Sequence, residues 1–230
     1  MPTALINDID IYYELRGRGR PLVLIVGFGT DITEWDRLIS ALSRERQVLA
    51  FDNRGAGRSG MPDQPYSIEA MADDTAGLMG AAGLGAADIL GISMGGKIAM
   101  ALALGHPEKV SKLILASTGC RSVTSWRFRA ANALARLPVL RSRHPQPHYA
   151  RRRQLEATRS FVCCGRLGEI GAPTLILHGR KDRFAPLEIA RETHAGITGS
   201  KLVVTSGGHL FPLFRTKEFL VEVDKFLESE

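Results

Sequence analysis

The sequence predicts an α/β protein: a mostly parallel central sheet of about eight strands with helices on both faces. Three observations carry that expectation. Short apolar runs alternate with helix-period segments along the chain, the pattern of strands joined by crossover helices. One of those junctions, Gly91-Ile92-Ser93-Met94-Gly95-Gly96, places glycine two residues before and two after a serine. Finally, 230 residues, 44% hydrophobic and 23% charged, suffice for one domain with a two-sided core and a modest insertion.

Each element has its own signal. Leu5 to Leu15, with the alternating Ile9-Asp10-Ile11-Tyr12-Tyr13-Glu14, reads as a hairpin. Gly17, Gly19 and Pro21 then turn the chain into the apolar run Leu22 to Val26. Strands are expected at Val48 to Asp52, Ala87 to Gly91, Val110 to Ser117, Pro173 to His178 and Lys201 to Thr205. Helices are expected at Thr33 to Ser43, Ser67 to Ala82, Met94 to His106, Leu187 to Ala195 and Phe214 to Leu227.

The serine junction is a candidate nucleophile elbow. A sharp strand-to-helix turn exposes the hydroxyl of Ser93, and Gly91 and Gly95 supply the missing Cβ atoms that such a turn requires. The helix start behind it offers unpaired N–H groups to a developing oxyanion. A serine hydroxyl needs a base and a carboxylate to orient that base. Asp182 follows the strand ending at His178, and His209 follows the last strand, 27 residues further on. Parallel strand ends gather along one edge, so Ser93, Asp182 and His209 can meet there.

At these residues the chain resembles the α/β-hydrolase fold serine hydrolases, over nearly its whole length. The resemblance includes Leu22-Val23-Leu24-Ile25-Val26-Gly27-Phe28-Gly29, similar to the family's oxyanion strand and loop. It also includes Phe51-Asp52-Asn53-Arg54-Gly55-Ala56-Gly57-Arg58-Ser59, similar to its Asp-x-x-Gly-x-Gly-x-Ser turn. The nearest flavour is the small esterase, enol-lactonase and cofactor-free haloperoxidase branch. It implies Ser93 as nucleophile, His209 as general base, Asp182 as orienting carboxylate, and the backbone N–H groups of Phe28 and Met94 as the oxyanion hole. It implies no cofactor and no metal.

Two departures stand out. Val26 occupies the place where relatives usually carry His before the oxyanion-loop glycine, which removes a brace but no donor. The lid is also short, with roughly fifty residues between Thr118 and Gly171. This division gives a core of residues 1–119 and 171–230 and an Arg-rich lid insertion at 120–170. Gly27, Trp126 and Phe211 are the candidate pocket residues, core packing being the competing reading for the aromatics.

Charge is unevenly placed. The segment from Cys120 to Ile170 holds eleven Arg, no Lys and two Glu, so it carries +9 in a chain whose net charge is +6. It could attract an anionic substrate, a membrane or nucleic acid, or be a solvated face; no nucleic-acid module or interleaved aromatics accompany it. Gly55-x-Gly57-x-x-Gly60 matches the dinucleotide fingerprint literally, but Met61-Pro62-Asp63-Gln64-Pro65 follows where a helix should start. Cys120, Cys163 and Cys164 are an odd count whose adjacent pair could close only a strained ring, so reduced thiols are expected. His178 reads as a packed strand-end side chain. The expectation is a cytoplasmic hydrolase of a small ester or lactone, without nucleic-acid or membrane partners and compatible with a homo-oligomer. Rivals are carbon–carbon bond hydrolysis, perhydrolysis or acyl transfer by the same triad, a non-catalytic ligand receptor, and an Arg-rich module for an acidic partner.

Overall fold

Eight strands form one sheet in the order β1-β2-β4-β3-β5-β6-β7-β8 in the computed structural model, which describes residues 2–123 and 143–229. They are β1 Thr3–Ile6, β2 Ile9–Arg16, β3 Pro21–Ile25, β4 Gln47–Phe51, β5 Ala87–Ile92, β6 Val110–Ala116, β7 Thr174–Gly179 and β8 Lys201–Thr205. β1 and β2 pair antiparallel, as do β2 and β4; β3 to β8 run parallel. This is the predicted architecture, with strand ends within a residue or two of their expected places.

The sheet is buried on both faces because its central strands are continuously apolar. In β3, Val23 and Ile25 face one layer while Leu22 and Leu24 face the other. The first layer is closed by helices α2 (Ile68–Ala81) and α3 (Met94–Gly105). The second is closed by α1 (Asp36–Leu42) and the carboxyl-terminal helix, whose Phe219, Val223 and Phe226 are buried. Capping follows the expected chemistry: the Ser67 side chain accepts from the Ala70 N–H, and Asp31 with Glu34 forms a capping box before α1. Asp31 opens a 3₁₀ turn, Ile32–Trp35, that precedes α1.

Between β6 and β7 the described residues form helix α4, His148–Ser160, and a 3₁₀ segment, Cys164–Glu169. α4 carries Arg151, Arg152, Arg153, Glu156 and Arg159 and buries a stripe of Ala150, Gln154 and Ala157, the helical spacing of one inward face. After β7 come α5 (Leu187–Gly196), a single turn α6 (Phe211–Phe214) and α7 (Thr216–Leu227).

The cysteines correct the expectation of three reduced thiols. Cys120 and Cys164 form a disulfide with Cα atoms 5.0 Å apart, and Cys163 alone is free and buried. The fold brings the chain leaving β6 against the start of the 3₁₀ segment 44 residues later, and the Cys163 N–H donates to the Cys120 carbonyl. Sequence spacing weighs adjacent pairs readily and distant ones hardly at all.

Candidate active site

Ser93 stands at the carboxyl end of β5 with φ 57° and ψ −115°, a conformation that strains any residue with a Cβ. The structure shows why its flanks are glycine. A Cβ on Gly91 would run into the backbone of Gly95 and Gly96, and one on Gly95 into the Ile25 and Val26 carbonyls. The turn is fixed by the Ser93 N–H donating to the Ala116 carbonyl (2.9 Å) and the Gly96 N–H donating to the Ser93 carbonyl (3.0 Å).

Asp182 follows β7 and His209 follows β8, so both lie on the same sheet edge as Ser93. His209 Nδ1 is 2.8 Å from Asp182 Oδ2, and His209 Nε2 is 2.9 Å from Ser93 Oγ. A carboxylate can only accept, so Nδ1 carries the proton and Nε2 is left to accept from the serine hydroxyl. The other carboxylate oxygen of Asp182 accepts from the Phe184 N–H (2.8 Å) and the Ala185 N–H (2.9 Å), and its side chain is wholly buried. The His209 carbonyl accepts from the Ser117 hydroxyl at 2.7 Å, which anchors the histidine loop to the end of β6. His178 is buried and donates from Nε2 to the Ala185 carbonyl at 2.7 Å. Burial pushes its pKa down, and it packs under the Asp182 loop as expected for a strand-end residue.

Across from the triad, the loop after β3 brings Gly27 against the elbow: a Cβ there would meet Ser93 Cβ at 3.4 Å. Neither the Phe28 N–H nor the Met94 N–H has a hydrogen-bond partner among the described residues. The loop is held without the missing histidine. The Val26 carbonyl accepts from Asn53 Nδ2 (3.1 Å), the Gly27 carbonyl from the Thr30 hydroxyl (3.0 Å), and the Gly29 N–H donates to Gln154 Oε1 of α4 (3.3 Å). Gln154 Nε2 in turn donates to the Arg54 carbonyl at 2.8 Å. The Asp-x-x-Gly-x-Gly-x-Ser turn is structural: Asp52 accepts from the Ile32 N–H and from Arg58, and the Ser59 hydroxyl joins Asp52 to Tyr12. No helix begins there until Ile68, so the turn lacks the helix a dinucleotide site needs.

Phe211 is corrected from pocket to core: it is 2% exposed and packs edge-on against Phe219, 5.7 Å between ring centroids. Trp126 lies outside the described residues. Spacing alone missed Phe184, whose ring centroid is 5.2 Å from that of His209; its place two residues after Asp182 was the available signal. Gln154 was also missed, and Arg151 was visible only as one member of the Arg-rich run. The Arg151 guanidinium is centred 5.4 Å from the Phe28 ring, and nothing in an Arg-rich run distinguishes one residue that reaches the site.

Cys120, Cys164 and Glu192 are the one grouping of potential metal ligands among the described residues, but the disulfide withdraws both sulfurs from coordination. Two groups nearby, the buried Lys97 and the half-buried Glu34, have displaced pKa values. Burial lowers Lys97, on the helix behind Ser93, to about 8, and raises Glu34, with help from Asp31 and Asp52, to about 7.

Comparison with known proteins agrees with this architecture. Residues 20–163 match the family described as alpha/beta hydrolase fold. A protein of Azorhizobium caulinodans that carries the provisional name carbamate hydrolase RutD is 41% identical over 122 residues, 53% of this chain and 46% of that protein, so the matched region spans less than half of that relative. The crystal structure of an enol-lactonase from Burkholderia xenovorans LB400 superposes with a TM-score of 0.88 at 27% identity, covering 99% of this chain and 100% of the other. A meta-cleavage product hydrolase from Pseudomonas fluorescens IP01 superposes at 0.86 with 25% identity, over 99% and 97% of the two chains.

Proposed function

The chain belongs to the alpha/beta hydrolase fold family, and from that premise we propose that it is a cofactor-independent serine hydrolase cleaving a small carboxylic ester or lactone. The observation that carries the reading is the unbroken Asp182–His209–Ser93 chain of 2.8 and 2.9 Å contacts, and it is supported by the Phe28 and Met94 N–H groups, which have no hydrogen-bond partner among the described residues. In this mechanism His209 Nε2 takes the Ser93 proton as Oγ attacks the carbonyl carbon. The Phe28 and Met94 N–H groups receive the oxyanion. Collapse expels the alkoxide, which takes the proton back from His209, and water then hydrolyses the acyl-enzyme by the same path. Asp182 fixes the imidazole tautomer and steadies the imidazolium. Residues 120–170 form the lid in this reading, and the substrate is a small molecule rather than nucleic acid or membrane. Among the described residues no helix is long and apolar enough to cross a membrane. A cytoplasmic location belongs to the same proposal; there the Cys120–Cys164 bond would exchange with cellular thiols instead of standing permanently.

Carbon–carbon bond hydrolysis is the second reading, favoured by the full-length similarity to the meta-cleavage product hydrolase. The same nucleophile serves both, because the elbow sets the attacking group and not the bond attacked. The test is a fluorophosphonate probe followed by p-nitrophenyl esters of rising chain length, a set of lactones and a vinylogous diketone. Labelling of Ser93 with ester or lactone turnover supports the first reading, and turnover of the diketone alone supports the second. A folded protein that resists the probe sinks both and leaves the ligand-receptor alternative.

A further inference from the structure

We propose that Gln154 is a positioning residue for the oxyanion loop, so that the rate of acyl transfer depends on how α4 is seated against the core. The inference rests on the serine-hydrolase reading above and assigns a role to a residue outside the triad. Gln154 is the only polar side chain in the buried stripe of α4 and is 0% exposed. Its amide is used at both ends: Oε1 accepts from the Gly29 N–H, and Nε2 donates to the Arg54 carbonyl. Gln146 Nε2 adds a second donor to Oε1 at 3.2 Å while also donating to the Gly55 carbonyl. The orientation of the amide is dictated by its partners, since a main-chain N–H must donate and a carbonyl must accept.

The consequence follows from where Gly29 lies. The Phe28 N–H sits between a Gly27 carbonyl held by Thr30 and a Gly29 N–H held by Gln154, so the loop is fixed on both sides of the proposed oxyanion donor. Gly29 has φ 70°, a conformation that glycine adopts freely and therefore leaves easily unless something holds it. Val26 offers no side-chain hydrogen bond to this loop. One donor misaimed costs part of what its removal costs, and removal costs on the order of 100- to 1,000-fold in kcat.

Three replacements separate positioning from folding. Gln154→Met keeps length and burial but neither hydrogen bond; Gln154→Glu keeps an acceptor for Gly29; Arg152→Ala changes the exposed face of the same helix. The measurements are kcat and KM on a p-nitrophenyl ester, and the Ki of a trifluoromethyl ketone that forms an oxyanion on Ser93. Expected for Gln154→Met is a loss of about 30-fold in kcat, KM within about threefold, and Ki weakened in parallel with kcat, as a fraction of a full oxyanion donor. Gln154→Glu should recover most of the kcat, and Arg152→Ala should match the parent. Unchanged kcat and Ki in a folded Gln154→Met overturn the proposal. So does a loss confined to KM, or one that Glu does not relieve. If Gln154→Met does not fold, Gln154→Asn decides, since its amide is one methylene too short to reach both Gly29 and Arg54: a loss of kcat with Ki weakened in parallel supports the proposal, and parent kcat and Ki overturn it. Failure of the parent to label with fluorophosphonate strikes the serine-hydrolase reading itself, which distinguishes the two failures.

Discussion

The triad rim and the segment that packs against it are held by different physics. Ser93, Asp182 and His209 ride on the ends of β5, β7 and β8, in a sheet whose register is set by parallel ladders and whose central residues are apolar on both faces. Moving any of the three means moving a strand. The described residues of 143–170 meet the core through the buried stripe of α4, the buried Phe161, Cys163, Leu167 and Ile170 that follow it, and a few polar contacts, such as Tyr149 to the Met61 carbonyl and Arg153 to Asp63. Strand register therefore places the chemistry, while α4, the helix of the segment that reaches the loop after β3, is placed by two alanines and a handful of polar contacts. Changes at the rim should alter chemistry at constant stability, and changes in the segment should alter seating, affinity and stability.

The largest expected effect breaks the rim alone. Ser93→Ala should cost on the order of 10⁶ in turnover, and Asp182→Asn about 10⁴ through the wrong imidazole tautomer. The thermal midpoint should barely move for Ser93→Ala, because a strained, half-buried hydroxyl contributes little to the core. Ester hydrolysis that survives Ser93→Ala undiminished in purified protein would remove the serine mechanism.

The next effect strikes the segment's closure. The Cys120–Cys164 bond spans 44 residues of sequence, and the chain-entropy relation assigns a loop of that length about 4 kcal/mol of stability. Cys164→Ser, or reduction of the parent, should lower the thermal midpoint by roughly 8 to 16 °C at the usual 2–4 °C per kcal/mol for a chain of this size. Labelling of Ser93 by a fluorophosphonate at 25 °C should persist, since none of the strand ends is tied by that bond. A midpoint unmoved by reduction, with free thiols titrated to prove it, would show that the segment is seated by its packing.

The same contrast explains what could be read from the chain. Strand ends, the elbow and the order Ser93, Asp182, His209 were legible because each is local: an apolar run, a turn glycine, a polar residue just past a strand. Parallel topology then does the long-range work without further sequence information. The disulfide, the Gln154 bond to Gly29 and the Arg151 contact with Phe28 were not legible. Each joins positions 44 to 125 residues apart whose meeting depends on how one helix docks, and no periodicity encodes that. Phe211 had two readings, pocket wall and core, because an aromatic residue suits either, and its side chain packs with Phe219 in the second layer.

A smaller effect tests whether the segment reads substrate charge. Arg152 and Arg153 lie near Glu156, and Arg166 near Glu169, which uses both acids of the 120–170 segment. Arg151, beside Phe28 in the loop after β3, has no carboxylate partner among the described residues. An exposed ion pair is worth up to about 1 kcal/mol, so Arg151→Ala should raise KM about fivefold for an ester bearing a carboxylate and leave a neutral ester of equal size unchanged. Equal effects on both substrates would mean that Arg151 acts by packing on Phe28.

The smallest effect lies at the boundary between the two regions. Glu34 accepts from the Asp31 N–H at 2.7 Å, while its other oxygen, Oε1, is buried without a partner among the described residues. Burial outweighs the lowering effect of the Asp31 N–H hydrogen bond and, with the Asp31 and Asp52 charges, raises its pKa to about 7 against 4.5 for the free side chain. A folded pKa above the unfolded one means that the native state binds the extra proton. Its contribution is therefore complete below pH 4.5 and is lost as pH rises through 7. A glutamine in its place would keep the acceptor for the Asp31 N–H and carry no charge at any pH. Glu34→Gln should accordingly gain a few degrees in thermal midpoint at about pH 8 and almost nothing at about pH 5, flattening the decline of stability between those values. A gain of the same size at both pH values would mean that the carboxylate is solvated and that its burial is not what shifts it.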